Sequence, residues 1–371
     1  MDRSSHLFVF ITSVIMIRIS IARTLSSGLS IFLFGIGLSL LTASSLVAQD
    51  YGDRPERTEQ GDRSERPEQG DRSERPMQGE RQERPSQERV AQDFDPITIT
   101  GRDGVETVID DVSRIVTIGG SVTEIVYALG FGPNVVGTDI TSTYPRQVFR
   151  LPRLGALRQS SAESILSLDP SLVITTTAIS PPTVAQQVRD AGIPVLIVDE
   201  ATSVVEAKRR IADVGEALRS PDKASEIITI MEGQLAEAAT IQDEMETKPS
   251  VLFIYTRGAA MVNVSGKGTG ADAIVQLAGG QNVITQYEGY RPLTAEAAVS
   301  SQPDIILAPS HGVEMLGGLE NFMNQPGLKL TPAGKNGHVR AVDTGMLLSF
   351  GPRLGEGVLA LTRDMQRMMS E

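Results

Sequence analysis

Two fourteen-residue stretches of this chain echo one another: Ser161–Ile174 (SAESILSLDPSLVI) and Thr294–Leu307 (TAEAAVSSQPDIIL). Each reads as a short helix with a glutamate in its first turn, then a Pro-containing turn, then a buried strand. A unit of this design cannot bury its apolar face alone. Its recurrence in both halves of the chain confines the fold to two similar α/β lobes.

The surrounding pattern agrees. Ile115–Ile118 is a β-rich run, followed by Gly119-Gly120-Ser121 and a helical periodicity over Val122–Leu129. Val135–Thr138, Leu172–Thr175 and Val195–Val198 read as further strands, with helices over Ser161–Leu168 and Pro182–Ala191 between them. A second series runs from the strand Val251–Tyr255 through a helix at Gly270–Ala278, a strand at Val283-Ile284 and a helix at Ala295–Ser300. It closes with a strand over Pro303–Leu307 and a last helix after Pro352. Strands that alternate with helices at these lengths predict mainly parallel sheets covered on both faces. Between the series, Ser203–Met245 contains one proline, Pro221, and its apolar residues keep helical spacing; it reads as one helix or two packed end to end. The expected fold is α/β, two Rossmann-like lobes joined by a long backbone helix. The expected domains are 94–202 for the first lobe, 203–246 for the inter-lobe helix and 247–371 for the second lobe.

What precedes the lobes is of another kind. Leu29–Leu41 is apolar, follows Arg18 and Arg23, and leads to small residues at Ser45 and Ala48, the layout of a secretory signal over 1–48 that starts at Met1 or at Met16. An uncleaved anchor is the alternative. From Gly52 the chain reads GDRPERTEQ, GDRSERPEQ, GDRSERPMQ, GERQERPSQ. Eleven acidic and nine basic residues between Tyr51 and Gln92 leave almost nothing to bury. The stretch 49–93 is therefore expected to be a disordered tether, a passive spacer or a contact for an envelope partner.

Composition removes several kinds of function. There is no cysteine, hence no disulfide, thiolate metal site, cysteine nucleophile or lipidated cysteine. Three histidines (His6, His311, His338), one of them in the leader, exclude a multi-histidine cage. With 34 Lys and Arg against 46 Asp and Glu, a formal net charge of -12, the chain has no general attraction to nucleic acid. No Ser–His–Asp order, paired acid/base carboxylates or phosphate-cradling Gly-Lys-Ser run is present, so a non-enzymatic role is expected.

In open α/β sheets ligands bind beyond the carboxyl ends of the strands, which directs the search to four loops. Gly119-Gly120-Ser121 is either a close-packed turn or a ligand contact. Thr256-Arg257 follows the first strand of the second lobe, and Ser310-His311 a later one. The loop after Val135–Thr138 carries Tyr144-Pro145-Arg146. A tyrosine oxygen can ligate ferric iron. A free phenol is protonated at neutral pH, so ligation draws on the metal or on a neighbouring cation, which Arg146 would supply. A surface tyrosine beside a solvated arginine is the alternative. For Glu163 and Glu296 the choice lies between helix-end electrostatics, worth ~0.3–1 kcal/mol, and a matched pair of anionic contacts for one partner.

From about Arg114 to Met369 the chain resembles the periplasmic haem-binding proteins of bacterial ABC importers, within the helical-backbone (class III) group that also carries siderophores and cobalamin. The resemblance rests on Arg114–Ile125, Thr141-Ser142-Thr143-Tyr144-Pro145, Pro152-Arg153-Leu154-Gly155, Ala271–Ile274 with Ala278-Gly279-Gly280, and Leu348–Arg353. It implies haem b as transported ligand, Tyr144 as axial iron ligand, and Arg146 beside the phenolate or on a propionate. It also implies that Glu163 and Glu296 dock on a permease dimer served by its ATPase. Some members carry a histidine after the first strand of the second lobe; here Thr256 and Arg257 stand there. Arg257 is then expected on a propionate, with His311 either facing the opposite side of the macrocycle or lining the cleft edge. Gly120 and Ser121 complete the expected ligand contacts. The implied protein is a periplasmic monomer that captures hemin. The alternatives are a ferric siderophore or cobalamin receptor of the same class, or an envelope haem buffer that does not transport.

Overall fold

A computed structural model describes residues 95–256 and 262–370, all within one compact unit of the chain. The expected signal peptide and repeat tether, and Arg257, lie outside the described residues. The chain enters through a hairpin that the periodicity did not reveal. Strand β1 (Ile97–Thr100) pairs antiparallel with β2 (Glu106–Ile109), turning where Gly104 takes a φ of 78° that suits glycine. The Thr107 hydroxyl donates to the Val195 carbonyl at 3.1 Å, tying the hairpin to the first lobe.

That lobe follows the expected alternation: β3 (Ile115–Ile118), α1 (Gly120–Ala128), β4 (Val135–Thr138), α2 (Ala162–Leu166), β5 (Leu172–Thr176), α3 (Thr183–Asp190) and β6 (Val195–Val198). The sheet is parallel throughout, in the order β4-β3-β5-β6. Every residue of β3, β5 and β6 is buried, as strands covered on both faces require. Alternate side chains divide between two cores: Ile115 joins the one shared with the inter-lobe helices, and Val116 and Ile118 the outer one under α2 and α3.

Two helices, α4 (Val204–Ala217) and α5 (Pro221–Asp243), form the connection. The break falls where Arg219 adopts a φ of 53° and Pro221 opens the next helix, where its missing N–H costs nothing. The second lobe contains β7 (Ser250–Thr256), β8 (Val262–Ser265), α6 (Gly270–Leu277), β9 (Gln281–Asn282), β10 (Tyr290–Pro292), α7 (Ala295–Ser301) and β11 (Ile305–Pro309). It ends with α8 (Ser310–Met315), α9 (Leu319–Phe322), α10 (Pro332–Asn336), β12 (Val339–Val342), α11 (Thr344–Leu347) and α12 (Leu354–Ser370). Its parallel part, β9-β7-β11-β12, repeats the order of the first sheet. An antiparallel extension, β8 and β10, is added on the carboxyl half of β7.

The strand expected at Val283-Ile284 lies earlier, at Gln281–Asn282. The Asn282 side-chain amide donates to Ser265 and Asp272 while its oxygen accepts from the Ile284 amide, which bends the chain out of the sheet. The internal echo survives in the backbone. Ser161 and Thr294 cap α2 and α7 with their hydroxyls, and Asp169 (φ 47°) and Gln302 (φ 43°) make the same left-handed turn into β5 and β11.

Candidate functional site

The loop after β4 is fixed at its base by a buried carboxylate. Asp139 accepts from the amides of Gly119 (3.0 Å) and Thr141 (3.2 Å) and from the hydroxyls of Thr141 (2.6 Å) and Ser142 (2.9 Å). Beside it the Thr123 hydroxyl lies within hydrogen-bonding distance of Thr117, Thr138 and Ser142. These bonds set the loop on the carboxyl ends of β3 and β4, with Gly120 packed so closely on Thr141 that an added Cβ would lie 2.8 Å from its carbonyl oxygen. Beyond this base the loop turns outward, and Ile140, Tyr144 and Phe149 remain 53%, 46% and 61% exposed.

Tyr144 does not stand alone. The Arg353 guanidinium lies over its ring, 3.8 Å from the centroid, a distance at which the ring's negative face attracts a cation. Arg353 comes from the segment just before α12. Its Nε and one terminal nitrogen donate to the two carboxylate oxygens of Glu124 on α1, at 3.0 and 2.6 Å. Its other terminal nitrogen is 3.6 Å from Asp343. The Glu124 side chain is only 5% exposed; burial pushes its carboxyl pKa up, and the hydrogen bonds and charge of Arg353 oppose that shift. The pair therefore links the first lobe to the segment that leads into α12. The same junction brings Ser121 and Glu124 against Gly351, and Thr143 against Gly345.

Of the residues singled out in the sequence, Tyr144 lies on an exposed loop at the carboxyl end of the first sheet. Arg146 is not its partner: it is exposed on the short turn Arg146–Arg150, and among the described residues it makes no ring contact or hydrogen bond with Tyr144. Gly120 and Ser121 serve the packing of the turn and the junction, Ser121 being buried. His311 is exposed on α8, directly beyond β11.

Glu163 and Glu296 are both exposed, in the first turns of α2 and α7. Ser160, just before α2, exchanges backbone hydrogen bonds with the segment beyond β5: its amide donates to Ser180, and the Ser180 amide to Leu157. Leu293, just before α7, donates to Val262, which pairs with Thr256 at the end of β7. Both glutamates thus begin their helices at the carboxyl ends of their sheets.

The pairing of Glu124 with Arg353 was not read from the sequence. The signal lay in α1, GSVTEIVYA, where a lone acid interrupts an apolar helix; a carboxylate on such a face needs a buried partner. The partner's identity was not readable, because it lies 229 residues away.

Two α/β lobes of the same strand order, helically connected, with the segment beyond β12 of the second sheet packed on the loops at the carboxyl end of the first, define a bilobal binding protein of the helical-backbone class. The chain belongs to the periplasmic binding protein family, whose model matches residues 115–344. It is similar to the periplasmic heme-binding protein RhuT of Roseiflexus sp. RS-1, in apo form, with 36% identity and a TM-score of 0.67 over 70% of this chain and 99% of that one. It is 30% identical over 276 residues to the uncharacterized ABC transporter substrate-binding lipoprotein YvrC of Bacillus subtilis, covering 72% of this chain and 85% of that protein. A vitamin B12-binding protein of Vibrio parahaemolyticus is 22% identical over 246 residues, 66% of this chain and 86% of the relative. The protein is accordingly a substrate-binding protein of an ABC importer, a class that works in the periplasm with a membrane permease and its ATPase.

Proposed function

We propose that the cargo is haem, held at the junction of the lobes with Tyr144 as axial ligand of the ferric iron, and released to the permease after docking through Glu163 and Glu296. The observation that carries this reading is the half-exposed Tyr144 on the loop beyond β4, at the carboxyl end of the first sheet. The donor chemistry fits: a phenol is a hard oxygen ligand suited to ferric haem, and the chain has no cysteine to compete. Ile140 and Phe149 on the same loop present apolar surface to a macrocycle whose burial supplies most of the affinity. Arg146 and Arg257 are assigned to the propionates, and His311 to the opposite face or the cleft edge. The similarity to RhuT supports haem as the ligand.

A second reading, cobalamin, draws on the similarity to the Vibrio B12-binding protein. Titration of the purified protein with hemin, cyanocobalamin and a ferric siderophore separates them. Haem binding gives saturable one-to-one or two-to-one uptake with a ferric-phenolate spectrum, and Tyr144→Phe weakens it about tenfold or more. Saturation by cyanocobalamin with no response to hemin would replace haem by a corrinoid.

A further inference from the structure

We infer that Arg353, reaching Tyr144 from the segment before α12 and clamped there by Glu124, is the positioning residue that makes this phenol an iron ligand, so that the ligand is built jointly by both halves of the molecule. The inference rests on the haem reading above and names a residue that this reading does not require.

Three observations support it. First, the guanidinium is held on the ring rather than free. It makes a two-point contact with a carboxylate that is 5% exposed and is itself only 14% exposed. Two-point Arg–carboxylate pairing fixes the plane of the guanidinium as well as its place, so the orientation is imposed from α1 and the ring settles against it. Second, the contact leaves the phenol half exposed. A cation stacked on the ring face restrains its rotation without occupying the ligating oxygen. Third, the sign is right. A phenol that binds ferric iron carries negative charge, and a positive group within a few ångströms stabilises that charge, more strongly in a partly buried site than in water. Arg146, two residues along the same loop, makes no such contact.

Glu124 has a definite part in this. Without it the guanidinium would turn to water; with it the cation is retained, though partly neutralised. Asp343, 3.6 Å away on the other side, completes the cradle. Because Tyr144 and Glu124 belong to the first lobe while Arg353 precedes α12, the phenol is oriented only when these segments are packed as they are here.

The test uses the full mature chain and hemin. Removing Arg353 alone strands a buried carboxylate, which threatens the fold. The informative variant is therefore Glu124→Leu with Arg353→Met, which removes both charges at similar volume. It is expected to melt within a few degrees of the parent, yet to release hemin about tenfold faster. The phenolate-to-iron charge-transfer band should also move to lower energy, since no positive charge holds the phenolate electrons. Arg353→Lys, with Glu124 kept, should retain part of the parent's release rate and band position. If the double variant keeps the parent's release rate and band while Tyr144→Phe loses the band, the role of Arg353 is overturned and the haem reading stands. If Tyr144→Phe also keeps the band, both fall together.

Discussion

Arg210 of α4 donates to the carbonyl oxygen of Phe350 at 2.7 Å, and Phe350 holds a φ of 50° with its ring buried. A non-glycine residue in that region costs roughly 1–3 kcal/mol and persists only where its surroundings enforce it. Here they do. The same guanidinium donates to Ser349 O at 2.6 Å and to Asp199 O at 3.2 Å, pinning the turn before Arg353 to the helix that leaves the first lobe. Burial lowers the Arg210 pKa to about 10, so the group remains charged at neutral pH.

Arg210→Met should therefore be costly although methionine fills much of the same space. Three carbonyl oxygens lose a charged donor, and the expected loss is about 3 kcal/mol or more by urea unfolding. A loss below about 1 kcal/mol would mean that water or the backbone takes over those oxygens. Hemin affinity should fall with it, because Arg353 lies three residues beyond Phe350.

How much of this was legible in the sequence depends on how far each contact reaches. β3, β5 and β6 are short runs of β-branched and apolar residues, and their composition announces strands buried on both faces. β8 (VNVS) and β10 (YRP) are too short and too polar to stand out; they exist because β7 offers an edge to β8, and β8 in turn offers one to β10. The tyrosine was legible from its proline and its place after β4. Its cation was not: adjacency in sequence pointed to Arg146, whereas packing brings Arg353. The Glu163 and Glu296 helices were legible because each is coded locally, from cap to strand.

Gly120→Ala tests whether the loop that carries Tyr144 depends on close backbone approach. The new Cβ would fall 2.8 Å from the Thr141 carbonyl oxygen, within a segment held on both sides by Asp139. The loop must shift, at a cost of about 1–3 kcal/mol. Hemin affinity should drop by more than stability alone explains, since the displaced loop carries the phenol; binding unchanged at 25 °C would show that the loop base does not set the ligand's position.

The start of α4 carries a reciprocal cap with a pH signature. Ser203 accepts from the Glu206 amide, and the Glu206 carboxylate accepts from the Thr202 amide at 2.8 Å. That backbone hydrogen bond is the main cause holding the Glu206 pKa below its ordinary 4.5. A depressed carboxyl contributes stability that is present above its unfolded value and is lost as pH falls through the folded one. Glu206→Ala should then cost about 0.5–1 kcal/mol at pH 7, the residue being only partly buried, and the gap to the parent should close in acid. A gap that widens below pH 4 would have the wrong sign for this cap.

Docking through Glu163 and Glu296 makes the sharpest separation between binding and delivery. Both side chains are exposed, both follow a hydroxyl cap, and both begin their helices at the carboxyl end of a parallel sheet. Neither contributes a hydrogen bond or ion pair to the fold among the described residues, so replacing them removes little. Glu163→Arg with Glu296→Arg places cations at two helix N-termini, a penalty of about 0.3–1 kcal/mol each, which the lobes should tolerate with their hemin spectrum unchanged. A partner that meets these glutamates with basic residues would now face like charge at both ends. Hemin-dependent ATP hydrolysis by the reconstituted permease and ATPase should consequently vanish in the double variant and weaken in each single one. Full stimulation by the double variant would show that the two acids are no more than helix-end electrostatics, and the docking surface would have to be sought elsewhere on the lobes.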